Sequence, residues 1–104
     1  MNVDDIIVTH NEEARRFETT VAGLRAFITY GRFPDRLVLR HTQVPPALEG
    51  KGLAAKLART AVDFARPNHL RVVPLCPYVS SFIRKHREYQ DLVSAGDLQK
   101  VLSR

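Results

Sequence analysis

Hydrophobic and polar positions change period along the chain, and each change marks an element. In the first third, Ile6 to His10, Arg15 to Val21 and Leu24 to Tyr30 are short runs rich in β-branched and aromatic residues, separated by Asn11 to Glu13 and by Ala22 to Gly23. Runs of that kind broken by turn-forming residues predict three strands in an antiparallel meander. After a proline-containing turn over Gly31 to Asp35, the stretch Arg36 to Val44 sets Leu37, Leu39 and His41 on one face and Val38, Arg40 and Thr42 on the other, which predicts a fourth strand. Pro45 and Pro46 end it, because proline lacks a backbone donor and restricts the residue before it.

From Gly52 to Arg66 the period becomes helical. Leu53, Leu57, Ala61 and Phe64 or Ala65 form an apolar stripe, and Lys56, Arg59, Asp63 and Arg66 fall on the expected solvent side. Pro67 and Asn68 stop the helix, Leu70 to Leu75 reads as a fifth strand, Val79 to Lys85 as a shorter helix, and Tyr89 to Arg104 as a weakly patterned terminal helix. A strand, a helix of that length and another strand imply a crossover that joins parallel neighbours. No repeat or linker divides the chain, so residues 1–104 read as one domain of the α/β (α+β) class. Its mixed sheet of about five strands starts as a meander and closes with the parallel crossover, with two to three helices.

At 104 residues there is room for one core, and 44% hydrophobic with 26% charged residues excludes disordered and fibrous classes. No apolar run reaches the roughly 18 residues of a membrane span, and the start, Met1 to Asp5, is acidic where a signal peptide is basic. A cytoplasmic protein without membrane contact is the expectation. Cys76 is the sole cysteine, which leaves it a reduced thiol available for chemistry or for packing. The net charge of +5 is concentrated between Glu49 and Arg87, where eight Lys or Arg meet two acids. That field draws a polyanion, either nucleic acid or a multiply phosphorylated cofactor.

The segment Val44 to Ala54, Val-Pro-Pro-Ala-Leu-Glu-Gly-Lys-Gly-Leu-Ala, favours the cofactor. It puts glycines and a lysine between a strand end and a helix start, where unpaired amides and the helix dipole favour an anion that glycines let approach closely. It is neither a Walker loop nor a three-glycine dinucleotide fingerprint. With Glu49, Gly52 and Ala54 in that turn and Pro74-Leu75-Cys76-Pro77 after the fifth strand, the stretches His41 to Ala54 and Val73 to Tyr89 resemble the minimal single-domain members of the GNAT superfamily of acetyltransferases. The resemblance implies acetyl-CoA as cosubstrate, held at Val44, Glu49, Gly50, Lys51, Gly52, Leu53 and Ala54, with Lys85 near its adenosine phosphates. Glu49 stands where relatives carry Gln or Arg, so backbone amides supply most of the grip. Phe82 and Ile83 stand where larger relatives carry a tyrosine acid, with Tyr78 and Tyr89 as substitutes. Arg84, Lys85 and Arg87 either meet those phosphates or form a solvated surface.

His41 and Cys76 fall toward the carboxyl ends of the fourth and fifth strands, where open α/β sheets bind ligands. An imidazole with an ordinary pKa near 6.5 suits a general base that takes the proton of an attacking amine. A thiol made acidic by its surroundings suits a transient acyl acceptor. Each residue also has a structural reading, His41 beside Leu37 and Leu39, and Cys76 as a packed core residue. His10, His41, His69 and His86 lack ligand spacing, so no metal is expected. Three functions follow: an N-acetyltransferase acting on an unidentified amine of a small molecule or protein, a noncatalytic acyl-CoA binder, and a basic nucleic-acid module. The last lacks an aromatic platform and a zinc pattern. A monomer or weak dimer fits each.

Overall fold

A computed structural model describes residues 2–103. Five strands, β1 (Thr9–Asn11), β2 (Arg16–Val21), β3 (Leu24–Arg32), β4 (Arg36–Gln43) and β5 (Arg71–Pro74), form one sheet in the order β1-β2-β3-β4-β5. The first three pairings are antiparallel and β4–β5 is parallel, as the alternation and the crossover predict. Ala22 and Gly23 both have positive φ, 52° and 79°, which is the primed two-residue turn that matches the twist of a β2–β3 hairpin. The first strand is shorter and later than the pattern implies. Ile6 and Val8 pack against the core but Ile7 is 80% exposed, and the Thr19 hydroxyl donates to the Ile7 carbonyl at 2.9 Å, so a side chain replaces the ladder there. β3 runs on through Gly31 and Arg32, whose partners are Val38 and Leu37, leaving a tight turn that Phe33 N closes on Arg36 O.

Three helices follow: α1 (Leu53–Ala65), α2 (Pro77–Lys85) and α3 (Ala95–Leu102). α1 crosses from β4 to β5 and buries Leu53, Leu57, Ala58, Ala61, Val62 and Ala65, the stripe the sequence predicts. These meet Phe17, Ile28, Leu37, Leu39 and Val72 of the sheet in one buried cluster. At its β1 end, His10 stacks on Phe17 at 4.2 Å between centroids, meets Phe64 edge-on at 4.5 Å, and lies 2.6 Å from the Tyr30 hydroxyl through Nε2. Desolvation in this cluster lowers the imidazole pKa, with Glu12 opposing and Arg32 reinforcing the shift. A neutral ring accepting from Tyr30 fits that direction.

The terminal segment is not one helix. A 3-10 stretch over Arg87–Leu92 ends at an extended Val93, and α3 begins afresh with Ser94 as N-cap, its hydroxyl accepting from Asp97 N at 3.3 Å. The polar side of α1 faces water as expected, with Arg59, Asp63 and Arg66 exposed, and it also anchors this segment. Buried Tyr89 donates to Asp63 at 2.7 Å and accepts from Arg59 at 3.1 Å, and Arg66 grips Asp91 through two hydrogen bonds of 2.8 and 2.9 Å. Burial and the bond to Asp63 raise the Tyr89 pKa, while Arg66 lowers that of Asp91. Lys56 reaches the other way and donates to the Val3 carbonyl at 2.8 Å.

Candidate active site

The site is set by an irregularity in β4. Tyr30 pairs with Leu39 and Thr29 with His41, so Arg40 is the extra residue of a β-bulge. Up to Leu39 the strand obeys the alternation read from the sequence, with Leu37 and Leu39 buried. Beyond the bulge the faces exchange: Thr42, opposite core residue Ile28, now points to the helix side, and His41, opposite Thr29, points away. His41 therefore does not share the face of Leu37 and Leu39, a correction to the period-two reading, and it is exposed. One inserted residue is invisible to a count of alternating positions.

The parallel ladder ends at the same place. Its last register pair is Leu39 with Pro74, and the Leu39 carbonyl accepts from both Leu75 N at 3.0 Å and Cys76 N at 3.2 Å as β5 turns into α2. Past that point β4 and the start of α2 no longer pair. Cys76 is the N-cap of α2, 2% exposed, and its thiol lies 3.0 Å from the Thr42 hydroxyl. The side chain that meets Cys76 is thus Thr42, brought inward by the bulge, and His41 lies on the opposite face of the strand.

The glycine turn forms as its sequence implies, with a short 3-10 turn over Pro46–Leu48 that buries Leu48. Gly50 and Gly52 take φ of 76° and 81°, a left-handed backbone that suits glycine. Gly52 caps α1 without any side-chain hydrogen bond, and no acid stands in the first turn, so the leading amides of α1 keep their positive character. They open on a recess of about 270 Å³ lined by Val44, Leu48, Glu49, Gly50, Gly52, Leu53, Ala54, Ala55 and Tyr78. Six of the seven turn residues singled out by sequence line it, and Lys51 stands exposed between the glycines. A second recess of about 230 Å³ shares Ala54, Ala55 and Tyr78 and extends to Ser81, Phe82, Lys85 and His86.

Together the recesses make a trough from the end of β4 past the α1 N-terminus to Lys85. One end of it holds the leading amides of α1, and the other is bordered by Phe82 and His86, which stack at 4.1 Å. Tyr78, which the sequence offers only as a substitute acid, is 53% exposed and lines both recesses. Its signal was its place two residues after Cys76, in the first turn of α2. Tyr89, the other substitute, is committed to Asp63 and Arg59 and lines neither recess, although its ring lies 5.7 Å from that of Phe82. Arg84 reaches the Val101 carbonyl at 3.5 Å and so ties α2 to α3, and Arg87 is exposed. Among the described residues no group of three or more His, Cys, Asp or Glu is placed to hold a metal ion, and no helix is long and apolar enough to cross a membrane.

Comparison with known proteins agrees with this fold. A family model described as GCN5-related N-acetyl-transferase matches residues 16–92, a span that starts with β2 and takes in the bulge, the glycine turn and Cys76. Similar curated proteins include Protein NATD1 of Bos taurus, 36% identical over 84 residues that cover 78% of this chain and 74% of that protein. Protein NATD1 of Mus musculus is 33% identical over 84 residues, 78% of this chain and 76% of that protein. Its counterpart in Homo sapiens is 33% identical over 84 residues, 78% and 74% of the two chains.

Proposed function

The chain belongs to the GCN5-related N-acetyltransferase family, and from that premise we propose that it transfers the acetyl group of acetyl-CoA to an amine, with His41 as general base. The observation that carries this reading is the uncapped, glycine-led N-terminus of α1 opening on a trough beside the point where β4 and β5 part. The amides of that first turn would hold the pyrophosphate, Lys85 the adenosine phosphates, and the unpaired edge of β4 around Thr42 to Val44 the pantetheine arm. Acetyl-CoA supplies an activated acyl carbon. An acceptor amine approaching from the His41 side attacks that carbon, the C–S bond breaks, the amine proton passes to the imidazole, and the departing thiolate of coenzyme A takes up a proton.

Direct transfer fits the chain better than an acetyl-cysteine route. The Cys76 thiol is buried against the Thr42 hydroxyl, whereas His41 is open to an incoming amine. A cytoplasmic setting, in which that thiol stays reduced, is part of the proposal.

The test is intact-mass analysis after incubation with acetyl-CoA, beside a release assay for free coenzyme A with His41→Ala and Cys76→Ala. Direct transfer predicts no stable acetyl adduct on Cys76 and a larger loss with His41→Ala. An adduct abolished by Cys76→Ala would overturn the direct route, and acetyl-CoA binding without turnover on any amine would leave a noncatalytic acyl-CoA binder.

A further inference from the structure

Neither α1 nor α2 covers the second face of the sheet. α1 and α2 contact each other and both rest on the side of Leu39 and Val72, so strand register places Arg36, Arg71 and His41 on the other side. Arg40 joins them: a Cβ built on Gly31 would lie 2.6 Å from its Nη2, so the guanidinium lies over the bare glycine on that face. Arg36 and Arg71 are direct register partners on β4 and β5. Like charges so placed repel, which disfavours the free protein unless an anion answers them.

From that pair the strip runs along β4 through Arg40 to His41, over roughly 15 Å at 3.3 Å per residue. Asp35 stands against it, 3.0 Å from Arg36, and Glu18, on the same face of β2, is paired with Arg16 at 3.0 Å, while Arg40 and Arg71 are exposed with no ion pair among the described residues. A charge surplus that leads to the base is a specificity element for whatever brings the amine.

We propose that the acceptor is a polypeptide whose amine is flanked by carboxylates, docked along the Arg36–Arg71–Arg40 strip so that the amine reaches His41. This rests on the acetyltransferase reading above. Polypeptide is favoured over nucleic acid because this side of the sheet offers no stack of open aromatic rings. The Arg16 guanidinium lies 5.4 Å from the centroid of half-buried Phe27, and Phe33, 36% exposed, has that of Arg36 at 4.2 Å, which leaves bases at most one partly open ring.

The experiment uses two short end-blocked peptides, each with one lysine, flanked in one by Glu and in the other by Arg. Acetylation should favour the Glu-flanked peptide about tenfold or more in kcat/KM, mostly through KM, and the preference should shrink as salt rises. The double variant Arg40→Glu, Arg71→Glu should reverse the preference. The milder Arg71→Gln, checked by thermal unfolding, should reduce it even if the double variant folds poorly. Equal use of both peptides, or variants that leave the ratio unmoved, would overturn the docking surface while leaving the enzyme.

A binding arm, anisotropy of the labelled Glu-flanked peptide without acetyl-CoA, separates the two readings. Peptide binding lost in the variants, with no turnover on either peptide, would keep the surface and overturn the acetyltransferase. Absence of binding and turnover alike overturns the proposal, as does an oligonucleotide that displaces the peptide at lower concentration.

Discussion

The two halves of β4 do different work, although they form one strand. From Arg36 to Leu39 it is paired on both sides, with β3 and with β5, and its inward residues Leu37 and Leu39 are fully buried. From His41 to Gln43 it is paired with β3 alone, its second edge is free, and its residues are exposed or half-buried. Arg40, the bulged residue, divides them. The first half holds the fold together, and the second leaves backbone donors and acceptors unspent beside the glycine turn. A bulge costs a ladder position, and here it marks where the doubly paired strand gives way to a free edge.

That division predicts opposite responses on its two sides. Largest is the effect of His41→Ala, expected to lower acetyl transfer by about 10²–10⁴-fold in steady-state assays while the urea midpoint barely moves. Leu39→Ala, two residues earlier, should do the reverse and cost about 2–5 kcal/mol of stability in urea unfolding. Equal stability losses from the two substitutions would erase the distinction. Gly52→Ala tests the turn that faces the free edge. Its left-handed backbone should cost the alanine roughly 1–2 kcal/mol, and calorimetry should register weaker coenzyme A binding. Thr42→Val removes the partner of the Cys76 thiol and should cost about 1 kcal/mol or less.

The smallest effect belongs to the packed half, through Tyr30, the register partner of Leu39 and hydrogen-bond partner of His10. Burial holds the His10 pKa below its ordinary value, so the unfolded chain takes up the proton more readily than the folded one. Stability is then full above about pH 6.5 and falls as pH drops through the window beneath it, which thermal unfolding across pH would record. His10→Asn should flatten that slope.

Much of this was written in local chemistry. The Ala22-Gly23 hairpin, the prolines that close β4, the apolar stripe of α1 and the turn from Val44 to Ala54 depend on backbone preference and on periods that a run of residues carries within itself. The family resemblance rested on the same turn and on the segment Pro74 to Pro77, and the matched span contains both. What could not be read was anything a distant partner decides. Ile6 to Val8 has a strand's composition, but Thr19 captures its carbonyl. Arg59, Asp63 and Arg66 are the exposed face they read as, and what the pattern omits is that Tyr89 and Asp91 come back to them from the far end of the chain.

The sequence alone thus determined the class of fold, the place of the glycine turn and the candidate residues His41 and Cys76. Only the tertiary structure decided which way those residues face. A single unpaired residue at Arg40 inverts the alternation after it, and a bulge is a property of two strands in register, not of one strand's pattern.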